Sequence, residues 1–303
     1  MRKLPTLAGV YAAAVTPLKS DLSPDLEGLS ALVQFLARRG CHGILLLGTT
    51  GEGPSFSIAE RLEIYQAAAQ ARQDLVNFHL LAGTGTPSLE DTIHLTHSVF
   101  DLGYDGVVVL PPYYYRKATD EGYFSWYTKV LERAVPSYGC LLAYHIPPVT
   151  GINLSMDLFA RLKDAYPDQF GGIKDSSGDP AWAQALGDRF GSDLLVFTGN
   201  DRLFSLALEA GAAGCITAMA NLLSPLLRLV WDDFQAGKPD EIAQDKLSQA
   251  REELDRYPPM PPLLKLLLSR LHGFPYWKVK PPLIDFDSSQ AEIMLSGFLA
   301  ALE

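Results

Sequence analysis

Lys174 closes the apolar run Gly171-Gly172-Ile173-Lys174 and is followed at once by Asp175-Ser176-Ser177-Gly178. That order predicts a buried strand ending in an amine, then a turn. Loss of hydration disfavours an ammonium group in apolar surroundings, and a neutral amine attacks a ketone to form a Schiff base. An isolated lysine at a strand end more often clears the strand and points into water. Here the ends of other apolar runs carry groups suited to the same chemistry. Gly48-Thr49-Thr50-Gly51-Glu52-Gly53 offers two hydroxyls and a glycine-threaded row of N–H groups. Such a nest suits a carboxylate, and a plain tight turn is the competing reading. Pro111-Pro112-Tyr113-Tyr114-Tyr115 and Tyr144-His145-Ile146-Pro147-Pro148 supply phenols. A phenol near an amine passes protons when a hydroxyl chain links it to solvent; otherwise it is a core tyrosine with one satisfied hydroxyl. Thr198-Gly199-Asn200-Asp201 closes a further run.

These segments need a frame that gathers strand ends. Short apolar runs begin near Gly9, Ile44, Phe78, Val107, Leu141, Gly172, Leu194 and Cys215, with amphipathic helical patterns between them. Continuous apolar runs suit parallel strands buried on both faces. Gly40-Cys41-His42-Gly43, Gly103-Tyr104-Asp105-Gly106 and Gly211-Ala212-Ala213-Gly214 repeat one helix-to-strand joint. The first glycine fits a left-handed helix cap and the second a close strand entry. Eight units predict an α/β fold, a (β/α)₈ TIM barrel over residues 1–237. An open doubly wound sheet competes, but Gly83-Thr84-Gly85 is a weak fingerprint, and Ser88-Leu89-Glu90-Asp91 reads as helix capping. Residues 238–303 read as a helical extension packed on the barrel. In it, Tyr257-Pro258-Pro259-Met260-Pro261-Pro262 is a stiff break before a helix from Leu263. Barrel sites are built at the carboxyl ends of the strands, where Lys174 and Tyr144 fall on neighbouring strands. His145 alternates to the opposite side and is expected to face away from the barrel axis.

Composition narrows the classes. The 303 residues are 48% apolar, enough for a large core, and the net charge of −10 carries no basic run for nucleic acid. Cys41, Cys140 and Cys215 have neither disulfide nor zinc spacing and read as buried thiols in a reducing cytoplasm. Met1-Arg2-Lys3 ahead of an apolar stretch sketches a weak signal peptide, but Pro5 and Gly9 interrupt it, so a first strand from Gly9 to Val15 is preferred. No run reaches membrane-spanning length. His94 and His97 share a helix face without an acidic third ligand, and His42, His79 and His272 carry no partner signal.

Gly48-Thr49-Thr50-Gly51-Glu52, the Tyr-x-x-Pro at Tyr144 to Pro147 with Thr150-Gly151 behind it, and Ile173-Lys174-Asp175 with Gly178 resemble the dihydrodipicolinate synthase / N-acetylneuraminate lyase family. The resemblance implies class I, Schiff-base aldolases on a (β/α)₈ barrel with a C-terminal helical extension. It makes Lys174 the imine-forming lysine for pyruvate or another 2-oxo acid. Tyr144 becomes the proton shuttle and Thr49 its link to a second tyrosine, Tyr114, which in the family reaches across a dimer interface. Gly48 and Thr50 fall at the carboxylate site, and Gly199 and Ile216 line the imine pocket. Asp201 falls where sugar-acid lyases hold a hydroxylated tail. No metal or organic cofactor is implied. The implied partners are pyruvate and an aldehyde or 2-oxo acid, with a homodimer or homotetramer as the assembly.

One departure bears on the substrate. In authentic dihydrodipicolinate synthases the segment after the tyrosine carries an arginine for the aldehyde's carboxylate, and here that position is Val149. The resemblance therefore favours a pyruvate-dependent aldolase or lyase acting on a 4-hydroxy-2-oxo or 2-oxo-3-deoxy sugar acid. The alternatives are 4-hydroxy-tetrahydrodipicolinate synthase and a silent homologue that binds a 2-oxo acid. Arg202 is expected to pair with a surface acid rather than a substrate.

Overall fold

The computed structural model describes residues 7–239 and 241–302. The first six residues of the sketched signal peptide lie outside the described residues, and Gly9–Ala13 form the first strand. Eight parallel strands close into a barrel in sequence order: β1 (Gly9–Ala13), β2 (Gly43–Leu46), β3 (His79–Gly83), β4 (Gly106–Val109), β5 (Leu141–His145), β6 (Phe170–Asp175), β7 (Leu195–Thr198) and β8 (Gly214–Thr217). Between and after them run α1 (Leu26–Arg38), α2 (Ile58–Ala71), α3 (Leu89–Asp101), α4 (Asp120–Ala134), the single turn α5 (Pro147–Thr150), α6 (Met156–Ala165), α7 (Pro180–Phe190), α8 (Phe204–Glu209) and α9 (Ala220–Gln235). The C-terminal helices are α10 (Glu241–Asp255), α11 (Met260–His272) and α12 (Ser288–Ala300).

Local chemistry accounts for most of these boundaries. Asp25, Ser57, Ser88, Thr119, Ser155 and Asp179 each cap a helix by accepting a backbone N–H through the side chain. Gly40, Gly103 and Gly211 end their helices at φ 89°, 79° and 94°, the left-handed region that glycine enters without steric cost. At Gly214 a Cβ would stand 2.0 Å from the Gly9 carbonyl oxygen, so the entry to β8 admits only glycine. All three cysteines are buried and form no disulfide, and burial pushes the Cys41 thiol up to about 12.

Three boundaries differ from expectation. The proline break ends three residues early: α11 begins at Met260 and takes Pro261 and Pro262 into its first turn, where a missing N–H has no partner to lose. The residues after β5 wind into α5 instead of running on as loop. Strand β6 continues through Asp175, which was expected to open the turn. No helix among the described residues is long and apolar enough to cross a membrane.

The chain forms two compact units. One holds the described residues up to Gly9 and His79–Ile216; the other holds Val10–Phe78 and Thr217 onward. In the second unit α10 and α11 pack with α9, and the Asn221 amide of α9 donates to the Ala13 carbonyl of β1 at 2.8 Å.

Candidate active site

In the first unit the register of β5 on β6 sets the geometry. Tyr144 pairs directly with Lys174, and His145 with Asp175. Directly opposed residues on neighbouring strands point to the same face, so amine and phenol share one side of the sheet. The Lys174 Nζ lies 4.2 Å from the Tyr144 ring centroid, and the two residues are 2% and 3% exposed. The amine thus lies against the aromatic face of Tyr144 before any substrate arrives.

The next pair along faces the other way. His145 Nδ1 lies 2.8 Å from Asp175 Oδ1, with both side chains buried. The His145 ring stacks obliquely on Trp182 of α7, with centroids 5.1 Å apart. His145 therefore faces the helix layer, as strand alternation predicts, and serves β5–β6 as a cross-strand tie. Asp175 is fixed in turn by the Ser177 hydroxyl, which donates to it at 3.0 Å. Sequence patterns gave no sign of this tie; the available signal was that His145 and Asp175 each follow the residue of a candidate pair. Four of the other histidines have partners as well. His42 Nδ1 accepts from the Val10 N–H at 2.9 Å, His79 meets Asp105 at 3.2 Å, His97 meets Asp101 at 3.0 Å, and His272 packs on Phe35.

Gly199 donates its N–H to the Asp175 carbonyl at 2.6 Å. A Cβ at Gly199 would stand 1.9 Å from the Ser176 Oγ, so the β6 and β7 ends approach closely because residue 199 has no side chain. Ile216 is buried in β8, and Asp201 is buried at the start of a single 3₁₀ turn, Asp201–Leu203. Arg202 is exposed. Tyr114 and Tyr115 lie edge to face at 5.3 Å and are 75% and 72% exposed. Val149 on α5 is 57% exposed.

The second unit carries the Gly48–Gly53 loop. Gly48 and Thr50 are buried and Thr49 is half-buried. The loop closes on itself through the Gly53 N–H to the Gly48 carbonyl at 3.1 Å, and the Thr16 hydroxyl donates to the Gly51 carbonyl at 2.7 Å. At Gly53 a Cβ would stand 2.0 Å from the Leu47 carbonyl oxygen. Leu47 and Glu52 adopt left-handed φ values of 53° and 56°. Each such non-glycine residue costs on the order of 1–3 kcal/mol and persists only where surrounding contacts enforce it. For Glu52 the contacts are visible: Lys265 Nζ at 2.5 Å from Oε1, and the Lys280 N–H donating to Oε2 at 2.8 Å. Burial pulls the Lys265 ammonium below the usual amine range, while the Glu52 carboxylate pulls it back up.

A closed parallel barrel holding a buried lysine against a phenol at its strand ends is an arrangement able to carry aldolase chemistry through a lysine. The Dihydrodipicolinate synthetase family model matches residues 6–295, and the chain belongs to that family, as an aldolase-type carbon–carbon lyase. It is 36% identical over 291 residues to a Chloroflexus aurantiacus protein named "Uncharacterized DapA-like lyase", covering 96% of this chain and 95% of that one. It is 32% identical to the 4-hydroxy-tetrahydrodipicolinate synthase of Methanoculleus marisnigri, covering 76% of this chain and 77% of that one. Among solved structures, dihydrodipicolinate synthase from Agrobacterium tumefaciens superposes with a TM-score of 0.88 at 29% identity, covering 97% of this chain and 99% of that one.

Proposed function

We propose that Lys174 forms a Schiff base with a 2-oxo acid of the pyruvate type and cleaves or forms the neighbouring carbon–carbon bond of a 4-hydroxy-2-oxo or 2-oxo-3-deoxy sugar acid. The observation that carries this reading is the buried Lys174 Nζ held 4.2 Å from the Tyr144 ring on paired strands. In the cleavage direction the amine attacks C2, a C–N bond forms, and the carbonyl oxygen leaves as water. Tyr144 gives up the proton that leaves with that water. The C3–C4 bond then breaks as its electron pair flows into the iminium, giving an enamine and a free aldehyde. The C4 hydroxyl proton passes to the Tyr144 oxygen left deprotonated, which returns it to the enamine carbon. Protonation of the enamine carbon and hydrolysis of the imine release pyruvate and free the amine. Thr49 and Tyr114 extend the proton path, Gly48 and Thr50 hold the carboxylate, Gly199 and Ile216 line the pocket, and Asp201 meets the hydroxylated tail; these roles rest on the family motifs.

Val149 is the residue that favours the sugar-acid reading over the synthase reading. A valine side chain cannot pair with a carboxylate, and a lost charge-assisted contact costs roughly 1.5–3 kcal/mol, about 10- to 150-fold. Sugar-acid substrates should therefore exceed aspartate semialdehyde by about tenfold or more in kcat/KM. Incubation with pyruvate and borohydride should label the peptide containing Lys174; an unlabelled Lys174 ends the proposal. Assay of 2-oxo-3-deoxy sugar acids and 4-hydroxy-2-oxo acids for pyruvate release then identifies the partner. A preference for aspartate semialdehyde would reinstate the synthase reading, which draws support from relatives with that name. Labelling without turnover on any of these would identify a silent binder.

Two tyrosine rings left this exposed by a single chain fit a site completed by a second copy, as a homodimer or a tetramer built from dimers. Tyr114→Phe should lower turnover by about 10-fold or more, the scale of one proton-transfer group, with pyruvate labelling of Lys174 unchanged. Equal loss of both would contradict the relay. A fully active monomer by light scattering would contradict the shared site.

A further inference from the structure

Glu52 sits within the loop that carries Thr49 and Thr50, yet its side chain turns toward the C-terminal region. Lys265 of α11 is 213 positions away in sequence, and its Nζ meets Glu52 Oε1 at 2.5 Å and donates to the Lys278 carbonyl at 2.6 Å. Both side chains of this ion pair are 0% exposed. The Lys280 N–H binds the second carboxylate oxygen. The Lys280 ammonium reaches Glu60 of α2 at 2.5 Å and lies 4.7 Å from the Phe56 ring centroid. From the other end of the loop, the Arg61 guanidinium donates twice to the Gly53 carbonyl, at 3.0 and 2.6 Å. One buried carboxylate thus ties a left-handed loop residue to one helix side chain and one C-terminal backbone segment.

A buried ion pair of this kind is weak evidence for stability, since desolvating two charges offsets most of their attraction. What the pair supplies is direction. Its hydrogen bonds fix where the Glu52 backbone lies, and with it the N–H groups and hydroxyls of the preceding residues.

We propose that Lys265 is a positioning residue for 2-oxo acid binding: through Glu52, the C-terminal helices hold the Gly48–Gly53 loop in the shape that receives the substrate carboxylate. The inference rests on the loop and lysine roles proposed above and adds the extension to the binding machinery.

The test compares two ketones at the same amine. Pyruvate carries a carboxylate and acetone does not, and borohydride traps either as an adduct on Lys174. In Lys265→Met the pyruvate concentration for half-maximal trapping should rise about 10- to 100-fold, the scale of roughly 1 Å of misplacement. Trapping by acetone should stay within about twofold of the unsubstituted protein. Lys265→Met leaves a buried carboxylate unpaired and lowers the melting temperature. Lys265→Met combined with Glu52→Gln removes both charges; the melting temperature should recover while the pyruvate defect remains. Should the single variant not fold, the double variant decides alone. Equal weakening for both ketones, unchanged half-saturation by pyruvate, or a double variant restored in both respects would overturn the proposal. Absence of any adduct in the unsubstituted protein is a separate result, which removes the Schiff-base reading itself.

Discussion

Lys174→Met should abolish trapping by pyruvate and borohydride and lower turnover by about 10⁴-fold or more, the scale on which enzymes lose rate when a covalent nucleophile is removed. The side chain is 2% exposed in a strand whose every residue is buried. Methionine nearly matches lysine in length and has no charge to desolvate, so the fold should persist and the melting temperature should hold or rise. That separation matters. A dead variant with native stability places the loss in the chemistry, whereas a dead and unfolded variant would place it in packing. Residual activity within about tenfold of the unsubstituted protein, measured by pyruvate release, would show that the amine is not the electron sink.

Tyr144→Phe should give the second-largest effect, with turnover down about 10²- to 10⁴-fold, the contribution usual for one general acid–base group and about 2.7–5.5 kcal/mol in the barrier. The aromatic face that lies 4.2 Å from the lysine remains. Because the register that opposes residues 144 and 174 is set by the backbone, the lysine keeps its place. The variant should therefore still form the pyruvate adduct, though more slowly, while carbon–carbon cleavage stalls for want of a proton carrier. Single-turnover trapping and steady-state pyruvate release together separate the two steps. A variant that loses adduct and turnover in equal measure would assign Tyr144 to placing the lysine; one that keeps both would leave the proton path to another group.

Strand β6 shows how far local pattern reaches. Gly171-Gly172-Ile173-Lys174 announces a buried strand with an amine near its end, and the structure extends it by one residue, to Asp175. The extension was illegible because Asp is a poor strand former by propensity. Its partner, His145, comes from another strand 30 positions earlier. Helix α11 shows the same limit. Four prolines around Met260 look like a break, but the first turn of a helix tolerates proline, and burial of Pro261 and Pro262 secures the start. Exposure was also beyond local reading: Tyr114 and Tyr144 both fall at or after the end of an apolar run, and one is 75% exposed while the other is 3% exposed.

By itself the sequence determined the alternation of buried strands and capped helices, the glycine joints between them, and the presence of an amine, phenols and a glycine-threaded loop at strand ends. Those features are local, because apolar period, cap chemistry and glycine φ preferences act over a few residues. Tertiary structure alone decided that Tyr144 stands opposite Lys174, that His145 and Asp175 tie the strands behind them, and that Lys265 reaches Glu52. Parallel strands joined by long crossovers take their register from packing across the whole sheet. Whether a charge is buried beside its counter-charge depends on what folds over it.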